Sequence, residues 1–157
     1  MPLGYRIVSA EFASTSLAIM SGEGAYLYGG RWNSKGVRVV YLGTSLAQAA
    51  MEMLVHLNRS DILNKTYFKM SVTFDKSFMQ HIAIDDLPSN WMEPTMESSV
   101  QEVGNQWIAN KSSLILQVPS AAVPGEYNYL FNPLHPDAHR ATFGPILPFN
   151  YDTRLVK

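Results

Sequence analysis

The chain has no cysteine among its 157 residues, which excludes disulfides, thiolate metal sites and a cysteine nucleophile together. That absence suits a reducing compartment and gives a cytoplasmic expectation. No stretch approaches the roughly 20 apolar residues of a membrane span. The amino terminus, Met1-Pro2-Leu3-Gly4-Tyr5-Arg6, also lacks a basic segment leading into an apolar core, so the chain reads as soluble and unexported. Charge of one sign is missing too: twelve basic against thirteen acidic residues leave a net charge of −1. No global field therefore recruits nucleic acid or an anionic membrane, and any basic site must be local. Repeats, low-complexity tracts and linkers are absent as well. With 46% hydrophobic residues, residues 1–157 are expected to fold as one domain with a sizeable core.

What the chain does have is a dense run, Gly29-Gly30-Arg31-Trp32-Asn33-Ser34-Lys35-Gly36. Glycines let backbone approach a ligand closely, and a guanidinium fork matches phosphate or carboxylate oxygens bidentately. Arg31 with nearby amides could thus hold a diphosphate, or it could make an ordinary surface ion pair of little worth. The run is neither a Walker nor a Rossmann loop, since it lacks both spacings and precedes a strand. Trp32 reads as packing more readily than as a stacking platform.

Around this run the pattern is regular. Tyr5 to Val8 gives a short strand, and Glu11 to Met20 a small-residue helix or loop. Ser21-Gly22-Glu23-Gly24 signals a turn. Val37 to Leu42 reads as a strand, with Val37, Val39 and Tyr41 on one face. Ser45 and Gln48 form a capping box for a helix from about Leu46 to Leu57. Phe68, Met70, Val72 and Phe74 alternate with polar residues, the mark of a half-buried strand that is most often antiparallel. A proline-marked loop at Pro88 and Pro94 leads to a second amphipathic helix carrying Val100, Val103, Trp107 and Ile108. Leu114 to Val118 is another strand, and the proline- and aromatic-rich remainder is expected to be short strands and ordered loops covering a site.

Several side chains in this frame could carry chemistry. Gln48, Glu52 and His56 form one i, i+4 stripe on an otherwise apolar helix, which either faces water or lines a cleft. Tyr41 is either a core aromatic with a satisfied hydroxyl or a platform for a planar ring. Ser120 follows Val118-Pro119 at a strand end, where a serine either forms a turn or meets a ligand. Asn128 and Asn132 could close a pocket with amide hydrogen bonds or start turns before proline. His135 and His139 invite a metal, but Pro133 and Pro136 disrupt the local helix, and Asp137 is the sole further candidate nearby; no metal site is expected.

Taken together, Tyr26-Leu27-Tyr28-Gly29-Gly30-Arg31-Trp32-Asn33-Ser34-Lys35-Gly36, Val39-Val40-Tyr41-Leu42, the helix Ala49 to Leu57, Val118-Pro119-Ser120, Asn128 and Asn132-Pro133-Leu134-His135-Pro136 resemble the RES domain. This is the toxin half of RES–Xre toxin–antitoxin modules, named for an arginine, a glutamate and a serine. The resemblance spans nearly the whole chain, more loosely between Asn58 and Asn110. It implies an α+β fold of mixed, mainly antiparallel sheets with flanking helices, similar to ADP-ribosyltransferases. It further implies destruction of NAD+, a substrate and not a cofactor, so that depletion arrests growth. Catalysis would fall to Glu52 at the ribose, with Arg31 on the phosphates and Tyr41 on the nicotinamide ring; Tyr28, Ser120 and Asn128 would complete the substrate contacts. The implied partners are an Xre-type helix-turn-helix antitoxin and a second copy in a homodimer, with no nucleic acid bound directly and no membrane.

These roles agree with the chemistry. Cleaving the nicotinamide–ribose bond builds oxocarbenium character that a carboxylate stabilises, and nicotinamide leaves neutral without a general acid. Water and phosphate both remain open as acceptors. Transfer of ADP-ribose to a macromolecule is a second enzymatic reading. A non-catalytic binding module is a third, although near-neutral charge argues against RNA.

Overall fold

Alternation of apolar and polar residues builds the centre of the molecule. The computed structural model describes residues 1–156. Its strands are β1 (Leu3–Ser9), β2 (Val40–Gly43), β3 (Tyr67–Thr73), β4 (Met79–His81), β5 (Ile115–Pro119), β6 (Tyr127–Phe131), β7 (Thr142–Phe143) and β8 (Leu147–Phe149). They form one sheet in the order β4-β5-β6-β2-β1-β3-β7, with β8 also paired to β3. β4 and β5 run parallel, and the remaining pairs are antiparallel. Flanking the sheet are α1 (Ser16–Ile19), α2 (Glu23–Tyr28), α3 (Leu46–Leu54), α4 (Arg59–Asn64) and α5 (Ser98–Asn110). The expected mixed, mainly antiparallel sheet with flanking helices is what forms.

Residues paired across an antiparallel ladder share a face, and the two faces of this sheet bury separate cores. Val40, Leu42, Met70, Val72, Phe74, Ile115 and Phe131 fill one. Leu116, Val118 and Leu130 face the other, covered by Trp32, Val39, Trp91 and the α5 side chains Val100, Trp107 and Ile108. A smaller cluster of Ile7, Ala49, Tyr67 and Tyr151 seats α3. That helix lies directly on β2, because a Cβ on Gly43 would collide with the Ala49 backbone. Gly43 pairs with Asn128 of β6, so this close approach sets the polar stripe of α3 above Asn128.

Four local expectations shift. The strand predicted from Val37 begins only at Val40, since Asn33 folds beneath the preceding segment and takes the Val37 carbonyl at 3.0 Å. The helix predicted to reach Leu57 ends at Leu54. Its last residues tighten into turns, with His56 N donating to Met53 O and Leu57 N to Leu54 O. Asn58 then opens α4 with a reciprocal capping box to Asp61. The box predicted at Ser45 is half made: Ser45 Oγ accepts from Gln48 N, but the Gln48 side chain turns inward. Finally, β6 is an interior strand between β5 and β2, so the carboxy-terminal third supplies sheet as well as cover.

Candidate functional site

Glu52 projects from α3 into a corner built from three separate elements. Its Oε1 accepts from Gln48 Nε2 at 3.1 Å, from Asn128 Nδ2 at 2.8 Å and from the Ser120 hydroxyl. Gln48 Nε2 also donates to Asn128 Oδ1 at 3.0 Å, which fixes both amides against one another. Gln48, Ser120 and Asn128 are buried, while Glu52 is only half-buried. Ser120 is anchored in turn: its hydroxyl accepts from Val123 N and its amide donates to Glu126 O at 2.9 Å. All three bonds to the carboxylate converge on Oε1, and among the described residues Oε2 takes none. A carboxylate oriented through one oxygen presents the other to whatever enters, the arrangement that electrostatic stabilisation of a developing cation requires. Of the predicted stripe, then, Gln48 is interior, Glu52 sits at the boundary and His56 is exposed.

The Gly29–Gly36 run is held mainly through its backbone. Gly29 and Gly36 adopt positive φ, 72° and 88°, which lets the chain reverse within a few residues. Buried Asn33 donates to Ala25 O and Val37 O. The Tyr41 hydroxyl donates to Asn33 Oδ1 at 2.6 Å and accepts from Trp32 N at 3.1 Å. Burial pushes the Tyr41 phenol well above its ordinary value, against weaker opposing pulls from the Trp32 amide and the Arg31 charge. Helix α5 closes the other side, with Gln101 Nε2 on Gly30 O and Asn105 bonded to both Ser34 N and Ser34 Oγ. The Trp32 carbonyl rests against Gly104, where a Cβ could not fit. Trp32 itself is core.

Arg31 reaches outward from this loop, and its Nη1 donates to Trp91 O at 2.6 Å and to Glu93 O at 2.7 Å. The arginine expected to hold an anion therefore shares one nitrogen between two carbonyls of the segment preceding α5. Tyr41 faces the same way as Leu130, its partner on β6, two residues from Asn128. Tyr28 lies at the end of α2, 66% exposed. Asn132 behaves as a turn former, donating to Ile108 O and accepting from Leu134 N. The His135 ring bridges Asp137 N and Lys111 O, and His139 bonds Pro136 O.

Two cavities touch neighbours of Glu52, although Glu52 itself lines neither. One, of about 140 Å³, is lined by Arg6, Ser9, Ser21, Gly22, Glu23 and by Met53, the residue next to Glu52. Arg6 Nε is buried there without a partner, and burial lowers this guanidinium to about 10. The sequence leaves open whether Arg6 belongs to the site, as it does for Asn132 and His135; under two-residue alternation it shares a face of β1 with buried Val8. The other cavity, of about 210 Å³, has Ser120 in its wall together with Trp91, Met92, Glu126 and Tyr127. No cationic side chain lines it.

A mixed α/β domain with a carboxylate oriented by three side chains is thus the class that fold and site define. A model of the RES domain matches residues 4–152, and this chain belongs to that family. It is 36% identical over 154 residues to "Toxin Res" of Photorhabdus laumondii, covering 98% of this chain and 96% of that protein. It is 37% identical over 141 residues to the "Prs ADP-ribosylating toxin" of a Sphingobium species, covering 88% and 87%. Among solved structures, the MbcT–MbcA toxin–antitoxin complex of M. tuberculosis contains a chain of similar fold, with a TM-score of 0.73, 20% identity and coverage of 98% of this chain and 86% of that one. Among the described residues no helix is long and apolar enough to cross a membrane.

Proposed function

We propose that this protein is the toxin of a toxin–antitoxin module and that it cleaves the bond between nicotinamide and ribose in NAD+. The observation that carries the reading is Glu52, gripped through Oε1 by Gln48, Asn128 and Ser120 with Oε2 free of them. In the proposed step the C–N bond breaks with its electron pair passing to the ring nitrogen, so nicotinamide leaves neutral. Glu52 stabilises the cationic ribose left behind. The acceptor oxygen then forms the new C–O bond and gives up its proton. No metal enters this scheme.

The diphosphate is assigned to Arg6. The Arg6 Nε is buried without a hydrogen bond and its Nη1 makes only a 3.3 Å bond to Ile7 O, and an anion entering the cavity beside Met53 would supply charge-assisted hydrogen bonds. On this reading Glu52, which precedes the cavity residue Met53 in the chain, acts at the ribose. The names of the similar proteins support toxicity, and the words "ADP-ribosylating" in one of them favour a second reading, in which a macromolecule replaces water or phosphate as the acceptor. An antitoxin partner follows from the toxin reading, while its Xre type and a homodimeric toxin carry over from the resemblance.

Product analysis decides among these acceptors. Purified protein free of antitoxin, incubated with NAD+, is expected to release nicotinamide together with ADP-ribose in plain buffer, or with a phosphorylated ADP-ribose that forms only when phosphate is added. Label from NAD+ appearing in macromolecules of a cell lysate would establish transfer instead. Intact NAD+ with folded protein would sink the enzymatic reading altogether.

A further inference from the structure

We propose that Gln48 is a positioning residue for the reaction, acting on Glu52 both directly and through the side-chain amide of Asn128. The inference rests on the cleavage reading and adds to it what fixes the direction of the carboxylate. Gln48 stands one turn before Glu52 on α3 and is buried, with 4% of its surface exposed. Buried polar groups are kept where they have hydrogen-bond partners. Here Nε2 has two, Glu52 Oε1 at 3.1 Å and Asn128 Oδ1 at 3.0 Å, which match its two N–H donors.

These bonds close a ring. Asn128 Nδ2 donates to the same Glu52 Oε1 at 2.8 Å, so its oxygen must face Gln48 while its nitrogen faces the carboxylate. An amide has one acceptor end and one donor end, and turned over it would set oxygen against carboxylate and one NH2 against the other. Gln48 therefore selects the orientation in which Asn128 donates to Glu52. Asn128, expected from the resemblance to touch substrate, is committed to protein groups instead. Ser120 reaches Oε1 separately, anchored by Val123 N and Glu126 O.

The ring depends on how closely α3 approaches the sheet. Gly43 lacks the Cβ that would strike the Ala49 backbone, and Gly43 is the cross-strand partner of Asn128. A wider gap would carry Gln48 away from β6. A glutamine one turn from a carboxylate is by itself an ordinary helical pair. The bond to a third side chain 80 residues away is what makes this pair part of the site.

Steady-state NAD+ cleavage by Gln48→Met, Asn128→Leu and the double variant tests this, with thermal melting as the control for folding. Gln48→Met keeps the length of the side chain and removes both donors. It is expected to lower kcat roughly tenfold or more with KM within about twofold of wild type, the pattern of an interaction that helps only the transition state. The double variant should lose little beyond the worse single one, because both changes break the same ring. A wild-type kcat in Gln48→Met, a change confined to KM, or losses that multiply in the double variant would overturn the proposal. Should Gln48→Met not fold, Gln48→Glu, which keeps the shape and polarity without the two donors, carries the same expectations. Should the wild type not cleave NAD+, the cleavage reading fails separately. Hydrogen exchange of the Asn128 side-chain amide, followed by NMR, then decides: exchange roughly tenfold or more faster in Gln48→Met upholds the positioning role, and unchanged exchange overturns it.

Discussion

The corner around Glu52 and the loop from Gly29 to Gly36 are both dense in polar groups, but they spend them differently. At Glu52, side chains from α3, β6 and the end of β5 bond to one another, and every bond to the carboxylate comes from another side chain. In the loop, Arg31, Asn33 and Gln101 bond chiefly to main-chain carbonyls. Bonds to backbone hold a chain in a shape, whereas side chains converging on an ionised group prepare that group for a reaction. The most conspicuous run in the sequence is thus held largely through its backbone, and the proposed chemistry falls to Glu52 and side chains far from it in the chain.

Breaking the loop should therefore cost stability. Gly104→Ala drives a methyl group into the Trp32 carbonyl, and overpacking of this kind is expected to cost about 3 kcal/mol, a fall in Tm of roughly 6–12 °C for a domain of this size. A melting curve within a degree or two of wild type would show that the loop yields easily at the Trp32 carbonyl.

Breaking the corner should cost turnover with less effect on stability. Ser120→Ala removes one of three donors to Glu52 Oε1, and losing a hydrogen bond to a charged group is expected to lower kcat by roughly 10- to 100-fold. A rate equal to wild type, with Tm unchanged, would mean that Gln48 and Asn128 suffice and that the serine is a turn former alone. A large drop in Tm would instead mark Ser120 as structural, since Val123 N depends on the same hydroxyl.

Much of the scaffold is legible from local pattern. The alternation from Phe68 to Phe74, the Ser45 cap and the apolar face containing Val100, Trp107 and Ile108 each lead to the element observed, because burial on one face imposes the period on the sequence. Where prediction drifts, tertiary contacts decide: Asn33 captures Val37 O and delays β2, and the capping box at Asn58 cuts α3 short. The stripe of Gln48 and Glu52 is visible in the sequence without its orientation, which the pairing of Gly43 with Asn128 resolves. Ser120 and Asn128 meet Glu52 across separations of 68 and 76 residues, which no local spacing can reveal. Whether Arg6 belongs to the site is open from sequence, since the unbonded Nε of its side chain is a property of packing.

The central claim is that Glu52 performs the chemistry in a site otherwise prepared to bind. Nicotinamide release from NAD+ by wild type and by Glu52→Gln, compared at equal concentration with both shown to be folded, tests it most directly. Glutamine keeps the shape of the side chain but removes the negative charge, so release is expected to fall about a thousandfold while Tm stays close to that of wild type. A Glu52→Gln protein that releases nicotinamide at a rate within roughly threefold of wild type, about 0.65 kcal/mol or less on that barrier scale, would contradict the account.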